Sequence, residues 1–126
     1  MDDVLYRAEI LDHYYASLHR GRLEHPHLQD ELDNALCGDH VALELELDPR
    51  GSIRRARFHG DGCAISQAAA SLLAGHVEGK SIDEARCVSA QDMLRLLGIS
   101  LTPARLKCGV LALRVLQMAL IGYKTN

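Results

Sequence analysis

Three cysteines occupy local settings that suit metal or sulfur chemistry. They are Cys37 in Leu-Cys-Gly-Asp (36–39), Cys63 in Gly-Asp-Gly-Cys-Ala-Ile-Ser (60–66) and Cys108 in Leu-Thr-Pro-Ala-Arg-Leu-Lys-Cys (101–108). Glycines flank the first two cysteines and let the backbone approach a ligand closely or adopt a positive φ. The second and third lie near the start of predicted helices, where the helix dipole favours a thiolate. The thiolate is the form of cysteine that binds metal or attacks sulfur.

Asp39 lies two residues after Cys37 and can reach the same metal ion. Three thiolates and one carboxylate, brought together from separate loops, make a four-ligand site with soft sulfur donors and one harder, more labile oxygen donor. Cys37, Asp39, Cys63 and Cys108 are therefore candidate ligands of one metal site. From the residues alone, Asp39 also suits a turn, and Cys108 also suits the buried face of an apolar helix.

Other side chains with suitable chemistry fit this pattern less well. His40 and His59 lie near the motifs and could serve as substitute ligands, but surface and capping roles are commoner for histidine. Cys87 has no neighbouring glycine or acidic partner in sequence, and we predict that it is a core or incidental residue. The chain lacks Cys-x-x-Cys, which removes the usual support for a zinc finger or a thioredoxin-like site. No Ser-His-Asp, phosphate-loop or His-Glu-x-x-His pattern supports a hydrolytic enzyme.

Composition limits the class of protein. The 126 residues have a formal net charge of −3 and are 48% hydrophobic, which predicts one domain over residues 1–126. Aromatic residues make up only 4% with no Trp, and this composition with the acidic balance disfavours nucleic-acid binding. The start of the chain is acidic, and the most apolar stretch, 108–121, is interrupted by Arg114 and too short to span a bilayer. We expect a cytoplasmic protein with reduced cysteines and no membrane partner.

The first half of the chain predicts one helix and a hairpin. An apolar stripe from Val4 to Leu18 predicts a helix that ends by Gly21, and the polar stretch 22–36 is predicted to be a loop. Strict alternation over 41–47 predicts a strand with its glutamates, Glu44 and Glu46, in solvent. A turn at 48–51 leads to a second strand over 53–59, whose three arginines are predicted to balance the glutamates across the hairpin.

Beyond Gly62 the hydrophobic period changes from two to about 3.6 residues, which predicts helices. Ser81 with Glu84 forms a capping-box pattern, Ser89 is a second predicted cap, and Thr102 with Pro103 starts a last helix that runs to about Ile121. The order predicts an α+β fold, a single domain with a small antiparallel sheet and helices packed on one face.

The three cysteine motifs, in this order and over roughly residues 4–122, resemble the U-type iron–sulfur cluster scaffold family, which includes IscU, SufU and the N-terminal part of NifU. The resemblance implies a metal site at one end of the sheet and a role in building or delivering iron–sulfur clusters. It also implies partnership with a cysteine desulfurase, which supplies sulfur as a persulfide. Cys37, Asp39, Cys63 and Cys108 fall on the family's ligand positions.

Some other positions resemble the IscU-like branch of the family, and others resemble the SufU-like branch. Lys107 stands where IscU-like members have a histidine, and Arg105-Leu-Lys107-Cys108 resembles the SufU-like branch. That branch usually has an insertion between its second and third cysteines, but the spacing from Cys63 to Cys108 is IscU-like. The Leu101–Arg105 segment departs from the segment that IscU-like members present to a chaperone, so a partnership with that chaperone is not expected.

Two functions follow from the resemblance. The first is a scaffold that assembles a transient 2Fe–2S cluster on the four ligands and transfers it to apo iron–sulfur proteins. The alternative is a zinc-bound sulfur acceptor that activates a cysteine desulfurase, in which the same residues hold Zn²⁺. A purely structural zinc domain is disfavoured because such sites usually have closely spaced Cys/His pairs.

Two roles remain to be divided among these residues. Either Cys37 or Cys108 is the candidate persulfide acceptor, and the sequence does not choose between them. Arg105 and Lys107 are predicted to stabilise negative charge at the site.

Overall fold

The computed structural model has one helix, three strands and then four helices, and it describes residues 3–35 and 38–123, without the side chains of residues 3–7, 15 and 16. The elements are α1 (Asp3–Ala16), β1 (Leu28–Asn34), β2 (Asp39–Leu47), β3 (Ile53–Asp61), α2 (Ala64–Val77), α3 (Ile82–Arg86), α4 (Ala90–Leu97) and α5 (Pro103–Ile121). The strands form one antiparallel sheet in the order β1-β2-β3. The predicted α+β fold is confirmed.

One face of the sheet forms the base of the hydrophobic core. Val41, Leu43 and Leu45 of β2 and Ala56 and Phe58 of β3 are each at most 1% exposed. Helices α2 and α5 cover this face. Their apolar side chains remove the alternating residues of the strands from water, which is the main favourable term in folding. The prediction that helices pack on one face of a small sheet is confirmed.

The stretch 22–36 is not a loop throughout, because residues 28–34 form strand β1. This strand pairs with β2 in register, from Leu28 opposite Leu45 to Asn34 opposite Asp39. Every second side chain of β1 is exposed, and only Leu28 and Leu32 pack against the core. Charged side chains are common on edge strands, where they discourage pairing with other chains. The polar composition therefore concealed a strand, which is held by backbone hydrogen bonds to β2.

Glu44 is not in solvent, contrary to the prediction for this face of β2. It is 4% exposed, and its carboxylate accepts the Leu23 backbone N–H at 2.7 Å and lies 3.1 Å from His59 Nε2. The predicted pairing of arginines with glutamates across the hairpin is only partly correct. Arg54 lies 3.6 Å from Glu46, whereas Arg57 pairs with Glu78 at the end of α2.

The first helix is shorter than its apolar stripe predicts. Helix α1 ends at Ala16, so Leu18 lies beyond it and is 89% exposed. Among the α1 side chains that the structure describes, Ile10 is buried in the core at 4% exposure, whereas Leu11 beside it is 39% exposed.

The helices after the sheet begin and end where their capping residues predict. Ser81 and Ser89 each form a complete capping box, with Glu84 and Asp92 as the reciprocal partners. Helix α4 ends at Gly98 with φ +71°, a conformation that favours glycine. Helix α5 begins at Pro103, although the Thr102 side chain forms no capping hydrogen bond. In the described ranges, no helix is both long enough and apolar enough to cross a membrane.

Glu78, just beyond α2, binds a backbone N–H of the edge strand β3. Its carboxylate accepts the Ala56 backbone N–H at 2.9 Å and lies 3.1 Å from Arg57 Nη1 and 3.2 Å from His19 Nε2. Partial burial raises the pKa of Glu78, but the hydrogen bonds from Ala56 and His19 outweigh it and hold the pKa below its usual value. The charged form of Glu78 therefore stabilises the fold.

We expect Glu78→Gln to lower the free energy of unfolding by about 1–3 kcal/mol near neutral pH. The amide oxygen can still accept one N–H, but it is uncharged, so the ion pair with Arg57 is lost and the hydrogen bond from Ala56 is weaker. The pKa of Glu78 is lower in the folded state than in the unfolded chain. Its stabilisation is therefore complete above the ordinary value of 4.5 and is lost as the pH falls through the folded-state pKa. Urea titrations of the unaltered protein and of Glu78→Gln at several pH values should show that the difference in their free energies of unfolding becomes smaller in acid. Glu24→Gln, at a 90% exposed side chain, is the control, and equal stabilities near neutral pH would contradict the role of Glu78.

Candidate metal centre

Three of the four predicted ligands come together at one end of the sheet. They are Asp39 at the start of β2, Cys63 just before α2 and Cys108 in the second turn of α5. Their ligand atoms, one carboxylate oxygen and two sulfurs, all lie within 4.8 Å of one another. This is the one group of three metal-ligating side chains at such spacing among the residues that the structure describes.

Asp39 is directed into the site by the backbone of its neighbours. It lies opposite Asn34 across the β1–β2 connection, and the Gly38 backbone N–H donates to the Asn34 carbonyl at 2.8 Å. The Asp39 side chain is almost fully buried, and its Oδ1 accepts the Cys63 backbone N–H at 2.8 Å. Its Oδ2 lies 3.7 Å from Cys63 Sγ. The carboxylate thus has one oxygen that holds the Cys63 loop and one that faces the thiol.

The two glycines before Cys63 allow this close approach. Gly60 and Gly62 have φ +140° and +134°, a region that L-residues with side chains rarely adopt. A Cβ at Gly60 would overlap the His40 carbonyl, and one at Gly62 would lie 2.7 Å from Asp39 Cα and closer still to its carboxylate. The Gly-Asp-Gly-Cys motif therefore lets the end of β3 lie directly against the start of β2.

Cys63 is the N-cap residue of α2. Its Sγ accepts the Ser66 backbone N–H at 3.5 Å, and its side chain is partly exposed. A negative charge is favoured at the N-terminus of a helix, so this position suits a thiolate ligand. The sulfur is therefore held between the first turn of α2 and the Asp39 carboxylate.

Cys108 is supplied by α5 and is 1% exposed. The residue after it, Gly109, lies tightly against the segment before α5, because a Cβ there would be 2.6 Å from Leu101 Cδ1 and 3.2 Å from Leu97 Cδ1. Helix α5 also packs along α2. This packing brings Cys108, 45 positions after Cys63 in the chain, to the same end of the sheet.

The donor set and its spacing suit a single soft or borderline metal ion. In a tetrahedral site with bonds of about 2.3 Å to sulfur and about 2.0 Å to oxygen, the two donor atoms lie about 3.5 Å apart. The separation of 3.7 Å between Cys63 Sγ and Asp39 Oδ2 is close to this value. Two thiolates with a carboxylate fit Zn²⁺ or iron and leave at least one coordination position for a further ligand.

Comparison with known proteins now assigns the chain to a family. A family model described as the NifU-like N terminal domain matches residues 5–126. The chain belongs to the NifU-like N-terminal domain family. The resemblance to U-type iron–sulfur scaffolds is confirmed by this match.

Relatives of this NifU-like domain include both branches that the sequence resembles. The chain is 34% identical to the zinc-dependent sulfurtransferase SufU of Bacillus subtilis (strain 168), over 91% of this chain and 88% of that protein. It is 33% identical to the iron–sulfur cluster assembly scaffold protein IscU of Thermotoga maritima, over 93% of each. A crystal structure of a putative iron–sulfur cluster assembly scaffold protein of the SUF system from Fervidobacterium islandicum AW-1 superposes with a TM-score of 0.80 at 27% identity. That superposition covers 95% of this chain and 99% of the other.

The first predicted ligand of this NifU-like domain, Cys37, lies outside the described residues. Its place in the site stays a prediction, which rests on its position two residues before Asp39 in the sequence.

The two predicted site-tuning cations are both exposed on α5. Arg105, three residues before Cys108, lies on the same face of the helix and lines an apolar groove of about 480 Å³ with Ala64 and Ile65. Lys107 is displaced by about 100° around the helix from Cys108, since an α-helix has 3.6 residues per turn. Their effect on the charge of the site stays a prediction.

The other candidate residues lie away from the ligand group. His40 hydrogen bonds to Asp33, and His59 to Glu44 on the face of the sheet opposite the core. Cys87 is the C-cap residue of α3 and is exposed, so it is not a core residue.

Sequence reasoning missed Gln67, which is fully buried in the first turn of α2. Its side-chain amide donates to the carbonyls of His40 and Asp61, next to the ligand segments. A signal was present in the sequence. Gln67 is a long polar residue four positions after Cys63, inside a run of alanines and other apolar residues that is otherwise typical of a buried helix face.

Proposed function

We propose that this protein is an iron–sulfur cluster assembly scaffold, which builds a labile 2Fe–2S cluster and passes it to apo iron–sulfur proteins. Its ligands are Cys37, Asp39, Cys63 and Cys108. The convergence of Asp39, Cys63 and Cys108 within 4.8 Å carries this proposal. The named function of the T. maritima relative supports it. The proposed setting is the cytoplasm, where cysteines stay reduced.

Sulfur for the cluster is proposed to come from a cysteine desulfurase. The acceptor thiolate attacks the outer sulfur of the desulfurase persulfide, the S–S bond breaks, and the desulfurase thiolate leaves, so that the transferred sulfur becomes a persulfide on this chain. A two-electron reductant, such as a pair of external thiols that become a disulfide, then releases this sulfur as sulfide for the cluster. An acceptor must be within reach of the partner's sulfur. Because Cys108 is 1% exposed, its burial favours Cys37 as the acceptor.

Asp39 is proposed to make the cluster easy to release. A carboxylate oxygen is a harder donor than a thiolate and suits the soft iron–sulfur unit less well. Asp39 also holds the Cys63 loop through the hydrogen bond to Oδ1. A substitution must separate these two roles.

We expect Asp39→Ala and Asp39→Asn to slow cluster transfer to an apo-ferredoxin about tenfold, because each removes the carboxylate ligand. Asparagine retains an oxygen that can accept the Cys63 N–H, whereas alanine does not. Transfer is followed by circular dichroism of the acceptor's cluster. Slowing by both variants supports the ligand role. Slowing by alanine alone would assign the effect to the loop, and unchanged transfer in both would exclude Asp39 from release.

A second candidate function is a zinc-bound sulfur acceptor that activates a cysteine desulfurase. The 3.7 Å separation of Cys63 Sγ and Asp39 Oδ2 favours it, because this distance suits two ligands of one tetrahedral ion. The 34% identity to the zinc-dependent SufU supports it as well. In this mechanism the same residues hold Zn²⁺, and ligand exchange frees Cys37 to accept the sulfur.

One experiment distinguishes the two functions. The protein is incubated anaerobically with iron, cysteine and a cysteine desulfurase, and then mixed with an apo-ferredoxin. A coloured protein that passes its cluster to the ferredoxin supports the scaffold. A colourless protein that retains one tightly bound zinc, resists iron and raises the desulfurase rate supports the sulfur acceptor and overturns the scaffold.

A further inference from the structure

The Gln67 side chain joins the two chain segments that carry Asp39 and Cys63. Its Nε2 donates to the His40 carbonyl at 3.2 Å and to the Asp61 carbonyl at 3.1 Å. His40 directly follows Asp39, and Asp61 lies two residues before Cys63. His40 and Asp61 are also opposite one another in the β2–β3 pairing, so the amide bridges the open end of that pair.

The orientation of this amide is set by its partners. Both backbone partners are carbonyl oxygens, which only accept hydrogen bonds, so the NH₂ group and not the oxygen must face them. Gln67 is 0% exposed, and each N–H of a buried amide must find an acceptor or it costs about 1–3 kcal/mol. The amide nitrogen donates to these two carbonyls and also lies 3.3 Å from Ser66 Oγ in the same turn of α2. The amide is therefore held in one orientation relative to both ligand segments.

An apolar side chain of the same volume would fill the space of Gln67 at a lower free-energy cost. Gln67 Oε1 is buried and accepts no hydrogen bond from the residues that the structure describes. On the C-terminal side, the neighbours of Gln67 along α2 are Ala68, Ala69 and Ala70, all fully buried, and on the N-terminal side the neighbour is the buried Ser66. An apolar side chain such as methionine would avoid the unpaired oxygen. What the amide adds is its pair of bonds to the ligand segments.

We infer that Gln67 is a positioning residue of the metal centre: it fixes the separation of Asp39 and Cys63 and so the geometry with which they bind a metal ion. This inference rests on the proposed metal-binding function. Partners that orient metal ligands without touching the metal typically change affinity by about 10–100-fold when they are removed. Gln67 acts through the backbone on both sides of the Asp39–Cys63 contact.

The test is Co²⁺ binding to the full chain, followed by visible absorption. Tetrahedral Co²⁺ has intense ligand-field bands, which weaken when the coordination geometry changes. We expect Gln67→Met to lower the affinity for Co²⁺ and Zn²⁺ at least about tenfold and to weaken or shift these bands. If Gln67→Met does not fold, Gln67→Glu has the same shape and at most one donor proton, and the same loss is expected.

Ser71→Ala is the matched control, one turn further along α2. Ser71 is as buried as Gln67 and is 2.8 Å from His13 Nδ1 and 2.6 Å from Ser17 Oγ, far along the chain from the ligands. Both variants lose buried hydrogen bonds and should lower the melting temperature, but only the Gln67 variant should change Co²⁺ affinity and spectrum. If a Gln67 variant has the same Co²⁺ affinity and the same spectrum as the unaltered protein, this inference is overturned and the proposed metal-binding function is not. An unaltered protein that binds neither ion overturns the proposed function as well.

Discussion

Gly62→Ala is expected to abolish metal binding and to lower the free energy of unfolding by about 3 kcal/mol or more. The new Cβ would lie 2.7 Å from Asp39 Cα and would overlap its carboxylate, so Asp39 must move away from Cys63. The backbone at φ +134° is also unfavourable for alanine, at a cost of about 1–2 kcal/mol. Zn²⁺ competition with a chromophoric chelator and urea unfolding of the same samples measure the two effects.

Gly21→Ala separates the two causes of this effect. Gly21 has a similar φ of +144°, but nothing lies within 4 Å of the position where its Cβ would be. Its substitution should therefore lower the free energy of unfolding only by the cost of the unfavourable backbone conformation, and it should leave metal affinity unchanged. If Gly62→Ala were no more destabilising than Gly21→Ala and still bound Zn²⁺ tightly, the close approach of Gly62 to Asp39 would not shape the site.

Cys108→Ser is expected to reduce Zn²⁺ affinity by more than about 100-fold. Serine has nearly the same shape, but its hydroxyl is a poor ligand for a metal that prefers thiolate, so the change removes a donor and preserves the packing of α5. The expected loss exceeds the 10–100-fold that follows removal of an outer partner, because a direct ligand is lost. Chelator competition gives the affinity, and the absorption of the Co²⁺ form shows whether a sulfur ligand has been lost.

The matched control for Cys108→Ser is Cys87→Ser. Cys87 is exposed at the end of α3 and is not part of the ligand group. Its substitution should change neither affinity nor spectrum. An equal loss of affinity in both variants would show that the cysteines have been assigned to the wrong roles.

Features of the fold that depend on a few neighbouring residues were predictable from the sequence. The capping box at Ser81, the N-cap at Ser89 and the start of α5 at Pro103 are decided by contacts within one helical turn. Strand β1 was not predictable in this way. Its side chains are mostly polar, and pairing with β2 holds it in place. The paired residues lie from 5 positions apart, at Asn34 and Asp39, to 17 positions apart, at Leu28 and Leu45.

The ligands were predictable for a different reason. Asp39, Cys63 and Cys108 were selected by residue type, glycine context and resemblance to a family, and the structure brings these three together. Glu44 and Gln67 were beyond such reasoning. Their burial depends on Leu23, His59 and backbone carbonyls that only the folded chain places beside them. A polar residue in an apolar pattern indicates that a partner exists but does not identify it.

The ligands belong to three segments that are adjacent only when β2, α2 and α5 are packed together. Binding at this site and folding are therefore thermodynamically linked, because the unfolded chain cannot offer the same arrangement of donors. An ion present at about 100 times its dissociation constant adds about 2.7 kcal/mol to the stability of the folded state. A protein that gives up its metal or cluster gives up that stabilisation too. Delivery of the cargo thus leaves the contact between α5 and the sheet more easily opened than before.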